Sequence, residues 1–189
     1  LIPRDDTEIL AQRAIALLKK GGSALDLCCG SGILGISLHL ARPDARVHAG
    51  DVSGQAVDLT RDNARALDAE LDARQGDLFA PFAGLRFDLI VCNPPYIPSD
   101  ELGRLQEEVR REPALALDGG ADGLHFYTRV LSEAPGHLNP GGYLLLELGD
   151  GQAEQVSALL PPDFAAPAVH RDLAGLPRAL ETRLLRGVD

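Results

Sequence analysis

The chain has 189 residues, of which 45% are hydrophobic and 24% are charged, an ordinary composition for a globular domain with a sizeable core. No apolar run approaches the roughly 20 residues that a membrane helix needs, so we expect no membrane partner. The 28 acidic residues outnumber the 18 basic ones and give a net charge of −10, which argues against binding to a nucleic-acid backbone.

Helices and strands alternate through the first half of the chain. A helical period of apolar residues predicts a helix over 6–19, with Asp5 or Asp6 as its cap and Gly21-Gly22 after its end. The next predicted elements are a strand at 23–28, a helix at 32–41, a strand at 46–51, a helix from the Ser53 cap to about 67, and strands at 73–76 and 87–92.

The second half continues the alternation after a long polar loop at 97–118, which has room for one helix at 100–111. A loop of this length usually serves a function or is disordered. The later elements are a helix at 122–134 ended by Pro135, a turn at Gly141-Gly142, a strand at 143–148, a helix at 152–160, and strands near Val169 and at 180–185. Seven strands in this order predict one α/β domain over 1–189, with a doubly wound, mostly parallel sheet and a final antiparallel strand pair.

The tetrapeptide Asn93-Pro94-Pro95-Tyr96 directly follows the apolar strand predicted at 87–92. Two prolines cannot continue a strand, so the chain leaves the sheet stiffly where doubly wound proteins bind ligands. The amide oxygen of Asn93 and the carbonyl of Pro94 offer two acceptors beside the flat ring of Tyr96. This arrangement suits a planar NH2 group, although a proline-rich turn without a binding role is the simpler alternative.

A glycine-rich segment follows the first predicted strand. Gly30, Gly32 and Gly35 match the pattern G-x-G-x-x-G, which brings backbone close to a ligand at the start of a helix. Asp51 follows Gly30 by 21 residues at the end of the second strand, where a carboxylate suits a ribose diol. The pattern fits both nicotinamide-dependent dehydrogenases and S-adenosylmethionine-dependent enzymes.

Other residues favour S-adenosylmethionine over a nicotinamide. Asp26 lies at the end of the first strand, where a carboxylate can meet an ammonium group. Asp77 closes the third strand beside Leu78, where it can meet an adenine amino group under apolar cover; a turn cap is the alternative role. The tetrapeptide has no role in hydride transfer.

The sequence resembles the protein-(glutamine-N5) methyltransferases of peptide chain release factors, often called PrmC or HemK. The resemblance covers nearly the whole chain and rests on Leu1 to Glu8, Asp26 to Gly35, Asn93 to Tyr96, Arg111 to Leu117, Gly119-Gly120, Asp122 to Leu124, Glu147 to Gly149, and Asp172 to Gly175 with Arg178. Asp5 stands where that family commonly has proline, and Cys29 stands where it usually has threonine.

The resemblance implies a Rossmann-like class I methyltransferase fold and methylation of the glutamine amide in the GGQ motif of a release factor. Asp26 to Gly30, Asp51 and Leu78 would contact S-adenosylmethionine, Asn93 both cofactor and substrate, and Pro94 to Tyr96 the substrate. With Gly32 and Asp77, the candidate cofactor residues are Asp26, Leu27, Cys28, Cys29, Gly30, Gly32, Asp51, Asp77, Leu78 and Asn93. The candidate catalytic residues are Asn93, Pro94, Pro95 and Tyr96.

Alternatives to this function remain open. The tetrapeptide also occurs in DNA adenine and RNA methyltransferases, so an adenine N6 or guanine N2 amino methyltransferase is the main rival, which the acidic charge opposes. A binding module without catalysis is a further alternative that the intact tetrapeptide argues against. No Cys/His set has zinc spacing, so we expect no metal.

The remaining expectations concern the context of the chain. Three cysteines without framework spacing predict a reducing compartment, and we expect a cytoplasmic monomer. The chain begins with Leu and contains no Met, which predicts that position 1 is not the natural start. The family's helical domain, which helps to grip the release factor, is absent ahead of the catalytic residues, so we expect this chain to be part of a longer protein.

Overall fold

A single seven-stranded sheet organises the fold. The computed structural model describes residues 5–185 and, within them, the side chains from residue 7 onward, so the predicted cap at Asp5 or Asp6 lies outside the described side chains. The strands are β1 Ser23–Leu27, β2 Arg46–Asp51, β3 Asp72–Gln75, β4 Phe87–Cys92, β5 Leu138–Glu147, β6 Ala168–Arg171 and β7 Pro177–Arg183. Their order across the sheet is β3-β2-β1-β4-β5-β7-β6.

The strand directions confirm the predicted class I methyltransferase fold. Strands β1 to β5 pair in parallel, and β7 runs antiparallel to both β5 and β6. Leu89, Ile90 and Val91 on β4 are fully buried, because helices cover both faces of the sheet. This is why the central strands appear in the sequence as continuous apolar runs rather than as alternating patterns.

Helices cover the two faces unequally. Their bounds are α1 Asp5–Leu17, α2 Ile33–Ala41, α3 Gly54–Ala66, α4 Glu107–Arg110, α5 His125–His137 and α6 Ala153–Ala158. Helices α1 and α2 pack on one face, and Ala64 of α3 packs against Ile36 of α2. Helices α5 and α6 cover the opposite face. The predicted Ser53 cap is confirmed, since its hydroxyl accepts the Ala56 N–H at 3.3 Å.

Two predicted boundaries near α5 are wrong. Pro135 lies inside α5, which continues to His137, so the hydrogen bond lost at the proline does not end the helix there. Gly141 and Gly142 lie within β5 rather than in a turn before it. The pairing of β5 with β4 shifts register between Phe87 and Leu89, so the glycines form an irregularity inside a longer strand.

The long polar segment after the tetrapeptide is ordered around short helices. Two 3-10 turns, Leu102–Arg104 and Ala114–Ala116, flank the four-residue α4, which replaces the single helix predicted at 100–111. The segment is closed by backbone bonds, since the Ile97 N–H donates to the Leu117 carbonyl at 3.0 Å. The end of the segment at Leu117 therefore lies close to the residues that directly follow β4 and the tetrapeptide.

Three general features complete the fold. No helix among the described residues is long and apolar enough to cross a membrane. Cys28, Cys29 and Cys92 are all free thiols. No group of three or more metal-ligating side chains is brought together in the described part of the chain.

Candidate active site

A cavity of about 410 Å³ opens at the carboxyl ends of β1 to β4. This is the edge at which doubly wound sheets bind ligands, and the volume is typical of a small-molecule site. Six of the predicted cofactor residues line its wall: Cys28, Gly30, Asp51, Asp77, Leu78 and Asn93. The structure therefore brings together residues from the ends of four strands, and their contact with a cofactor remains a prediction.

The glycine-rich loop is tied to the end of β2. Cys28 and Gly30 adopt positive φ angles of 56° and 55°, which turn the chain sharply after β1. The Gly30 N–H then donates to Asp51 Oδ2 at 3.0 Å, and the Cys29 N–H donates to the Gly50 carbonyl at 3.0 Å. These bonds place loop backbone and the Asp51 carboxylate side by side on the wall.

Asp51 is oriented by backbone donors on both of its oxygens. In addition to the Gly30 N–H on Oδ2, the Ser53 N–H donates to Oδ1 at 2.9 Å. A carboxylate oxygen can accept more than one hydrogen bond, so each oxygen keeps accepting capacity. A fixed, half-buried carboxylate of this kind suits a pair of adjacent hydroxyl groups on a ligand.

Four of the predicted cofactor residues, Asp26, Leu27, Cys29 and Gly32, do not line the cavity wall. Leu27 is fully buried in the core. The Cys29 sulfur lies 3.4 Å from Thr60 Oγ1, and burial raises the pKa of this thiol. Gly32 has a φ of 78°, and a Cβ there would lie 2.6 Å from Thr60 Cγ2. The position therefore requires glycine for the packing of the loop against α3.

Asp26 is a buried carboxyl group beneath the glycine-rich loop. Its Oδ2 accepts the Gly35 N–H at 2.8 Å, whereas Oδ1 has no partner among the described residues. Burial raises the pKa of Asp26 from 3.8 to about 7; the Gly35 hydrogen bond lowers it, and the charge of Asp51 raises it. The orphaned oxygen fits a ligand that brings a donor or a positive charge. The bond to Gly35 also takes one of the N–H groups at the start of α2 that a pyrophosphate would need.

Asp77 lies on the cavity wall in an ion pair that the sequence did not predict. Both of its oxygens accept from the guanidinium of Arg129, at 3.0 and 2.8 Å. These hydrogen bonds are the main reason why the pKa of Asp77 is lowered. The pair fixes the carboxylate at the rim, and the predicted contact with adenine remains untested.

The sequence reasoning missed part of the apolar wall. Pro113, Leu115 and Ala116 come from the long segment after β4, and Phe126 comes from α5. The length of the segment predicted that it is functional or disordered but gave no partner for it. Together with Leu78, these side chains form an apolar surface suited to a flat ring.

The tetrapeptide divides between the cavity and the interior. Asn93 and Pro95 line the wall, whereas Pro94 and Tyr96 do not. The Asn93 side-chain NH2 donates to Thr7 Oγ1 over a long 3.5 Å. The Tyr96 hydroxyl donates to Glu147 Oε1 at 3.4 Å. The tetrapeptide therefore contacts residues that are distant in the sequence, and Asn93 lies on the cavity wall.

Three glycines of the later sequence blocks pack closely around Tyr96. A Cβ at Gly119 would lie 2.7 Å from Tyr96 Cα, and a Cβ at Gly149 would lie 2.9 Å from Tyr96 Cδ2. A Cβ at Gly123 would overlap the Tyr96 carbonyl. The absence of side chains at these positions lets two distant segments, one with Gly119 and Gly123 and one with Gly149, converge on Tyr96.

Comparison with known proteins agrees with this geometry. The family model "Methyltransferase small domain" matches residues 5–110. A release factor glutamine methyltransferase of Geobacter sulfurreducens is 46% identical over 157 residues, which cover 82% of this chain and 55% of the relative. A solved structure described as a release factor-specific protein-(glutamine-N5) methyltransferase, from Alicyclobacillus acidocaldarius, aligns with a TM-score of 0.62 and 30% identity over 97% of this chain and 94% of that one. The chain belongs to the protein-(glutamine-N5) methyltransferase family.

The family includes relatives with a different protein substrate in their names. A ribosomal protein uL3 glutamine methyltransferase of Bordetella pertussis is 48% identical over 128 residues, which cover 67% of this chain and 43% of the relative. The chain spans about half the length of these curated relatives.

In this chain, Gln152 and Tyr127 connect the tetrapeptide to β5. The Gln152 Nε2 donates to the Tyr96 carbonyl at 2.9 Å, and the Tyr127 hydroxyl donates to the Glu147 carbonyl at 2.8 Å. Burial raises the pKa of Tyr127, which keeps its hydroxyl protonated as a donor. The Gly149 N–H in turn donates to that hydroxyl at 3.2 Å. No motif in the sequence pointed to Gln152 or Tyr127.

Proposed function

We propose that this chain is the catalytic domain of an S-adenosylmethionine-dependent methyltransferase that modifies the glutamine amide of the GGQ motif in peptide chain release factors. The observation that carries the proposal is the position of Asn93 on the wall of the cavity formed by the strand ends. Membership of the glutamine methyltransferase family supports the same conclusion.

Residues of the wall, together with Asp26 beneath the glycine-rich loop, suit the parts of S-adenosylmethionine. Asp51 would accept from the ribose hydroxyls, because backbone donors already hold both of its oxygens in place. The orphaned oxygen of Asp26 offers an acceptor for the ammonium group. Leu78 and Phe126 would cover the adenine ring, and Asp77 lies on the same wall. When bound, the cofactor supplies an electrophilic methyl group.

The tetrapeptide would position the substrate amide. An amide nitrogen is a weak nucleophile because its lone pair is delocalised into the carbonyl. Asn93 Oδ1 and the Pro94 carbonyl would accept the two N–H bonds and hold the nitrogen in line for transfer, with Pro95 on the wall beside them. Orientation of this kind contributes up to roughly 7–11 kcal/mol in favourable cases. No general base is assigned, because the nitrogen becomes acidic once it carries the methyl group.

The proposed partner is a release factor, which the chain would meet as a monomer in the cytoplasm. A net charge of −10 supports a protein substrate over a nucleic acid, since a phosphate backbone would be repelled. One relative is named a ribosomal protein uL3 glutamine methyltransferase, so uL3 is the alternative protein substrate that an experiment must exclude.

Mass spectrometry after methyl transfer tests the proposal. The complete natural protein carrying this sequence is incubated with S-adenosylmethionine and, separately, with release factor, uL3, ribosomal RNA and DNA. We expect one added methyl group on the GGQ glutamine of the release factor. Methylation of uL3 or of a nucleic acid, with the release factor unmodified, would contradict it. Calorimetry with NAD in place of S-adenosylmethionine excludes a dehydrogenase if no binding heat is seen.

A further inference from the structure

Glu147 is a buried acidic side chain beside the tetrapeptide to which the proposed mechanism gives no role. It ends β5, and its neighbour Leu146 pairs with Cys92, the residue before Asn93. Only 2% of Glu147 is exposed. A buried carboxylate is costly unless it is hydrogen-bonded, so its partners indicate what it holds in place.

Two hydroxyl groups donate to this carboxylate. Thr7 donates to Oε2 at 2.7 Å, and Tyr96 donates to Oε1 at 3.4 Å. Thr7 comes from α1 at the start of the described chain, 140 residues before Glu147. Glu147 therefore joins the last residue of the tetrapeptide to a threonine that also contacts the first.

The Thr7 hydroxyl sets the direction of its hydrogen bond with Asn93. Thr7 has a single hydroxyl proton, and its hydrogen bond to Glu147 Oε2 uses that proton. The Thr7 oxygen must then accept from its other neighbour, and it lies 3.5 Å from the Asn93 side-chain nitrogen. With its NH2 facing Thr7, Asn93 has its carbonyl oxygen free of any donor from residues 7–185.

This direction matters because the two ends of an asparagine amide are nearly equal in size. Packing alone does not decide which end faces the cavity, whereas hydrogen bonding does. A substrate NH2 group brings two donors and needs an acceptor. An Asn93 turned the other way would present its own donors to those of the substrate, and methyl transfer would lose its orienting contact.

We propose that Glu147, acting through Thr7, is a positioning residue that fixes the Asn93 amide with its carbonyl oxygen toward the substrate. This inference rests on the proposed amide methylation. Glu147 itself touches neither substrate nor cofactor. Its second hydrogen bond, from Tyr96, fixes the other end of the tetrapeptide relative to the same carboxylate.

Substitutions at Glu147 and Thr7 test these linked hydrogen bonds, from Glu147 through Thr7 to Asn93. The assay uses the complete natural protein with release factor as substrate. In Glu147→Gln the new NH2 group can donate to Thr7, which frees the threonine proton to donate to Asn93 and turn the amide. We expect kcat to fall by roughly 10- to 100-fold, the cost of losing an oriented hydrogen bond. Thr7→Val should show the same loss, and Thr7→Ser should restore most of the activity. The Kd for S-adenosylmethionine should not change in any of them.

Thr182→Val is the matched control. Thr182 is 3% exposed and donates to the Ala165 carbonyl at 2.7 Å from β7, outside the cavity wall. Its loss should lower Tm as Thr7→Val does and leave kcat unchanged. Normal kcat in Glu147→Gln and Thr7→Val would overturn the inference, as would an equal loss of kcat in Thr182→Val.

Neutron diffraction of the deuterium-exchanged wild-type protein separates this inference from the proposed function. The map distinguishes the deuterated side-chain amino group of Asn93 from its oxygen and requires no turnover. A deuterated amino group facing Thr7 supports the inference, and an oxygen facing Thr7 overturns it. A wild-type protein that binds S-adenosylmethionine and leaves the release factor unmodified would count against the proposed function alone.

Discussion

The half of the cavity that is proposed to hold the cofactor is shaped by contacts between neighbouring strand ends, whereas the tetrapeptide half is held by segments that lie far apart in the chain. Gly30 and Asp51 are 21 residues apart and join loops that follow adjacent parallel strands. Thr7 and Glu147 are 140 residues apart and meet only because α1 packs on the sheet beside β5. The contacts of the first half join residues that are close in sequence and follow a pattern common to many proteins. The contacts of the second half form only in the assembled fold.

This difference predicts that the two halves fail separately. Changes on the tetrapeptide side should reduce turnover while the cofactor still binds. Changes on the glycine-rich side should weaken cofactor binding first. The following substitutions test this separation, beginning with the largest expected effect.

Asn93→Ala removes the acceptor that is proposed to orient the substrate amide. We expect kcat to fall by about 10³-fold, at the upper end of what one preorganised polar group contributes. The Kd for S-adenosylmethionine, measured by calorimetry, should stay near the wild-type value, because the rest of the wall is intact. Near-normal methylation by this variant would remove the proposed role of Asn93.

Asp26→Asn tests the buried carboxyl group under the glycine-rich loop. Because the pKa of Asp26 is about 7 in the folded protein and 3.8 in the unfolded chain, its contribution to stability is complete below about pH 4 and is lost as the pH rises through 7. The loss is on the order of 4 kcal/mol at most. Chemical denaturation at pH 5 and pH 8 should show a larger fall in unfolding free energy for wild type than for the variant. Equal falls would show that the group titrates normally.

Asp51→Ala tests the cofactor half directly. A hydrogen-bonded carboxylate contributes about 1.5–3 kcal/mol, so the affinity for S-adenosylmethionine should fall by roughly 10- to 150-fold. At saturating cofactor, kcat should recover, because Asn93 keeps its position. Calorimetry that shows unchanged affinity would contradict the assignment of Asp51.

Gly149→Ala and Gly32→Ala form a pair that compares the two halves by the same chemical change. Each added Cβ meets neighbours below 3 Å, on Gln152 and Tyr96 for the first and on Thr60 for the second. Overpacking of this kind costs typically about 1–3 kcal/mol. We expect Gly149→Ala to lower kcat and Gly32→Ala, which also has a positive φ, to weaken cofactor binding. Equal effects of both variants on both parameters would show that the halves are coupled.

Local patterns in the sequence were enough to predict the fold and to select six candidate cofactor residues that share one cavity wall. The apolar run at Phe87–Cys92 marked a central strand, and the spacing of Gly30 and Asp51 marked two adjacent strand ends. The antiparallel final pair followed from the lack of a helix between its strands. These features depend on residues close in sequence or on rules of chain connection.

Other features depend on contacts that no local pattern encodes. Pairing with β4 made the Gly141-Gly142 stretch part of β5, although two glycines usually indicate a turn. Asp77 meets Arg129 across 52 residues of sequence. The convergence of three glycines on Tyr96 also required the folded chain, since their blocks were visible as motifs without any indication of what they touch.

A crystal structure of the complete natural protein with S-adenosylhomocysteine and a GGQ peptide tests the central claim most directly. The account predicts that the glutamine amide nitrogen lies within about 2.7–3.2 Å of Asn93 Oδ1, facing the cofactor sulfur across the cavity. A glutamine side chain bound outside this cavity, or an Asn93 that meets it with its NH2 group, would contradict the account.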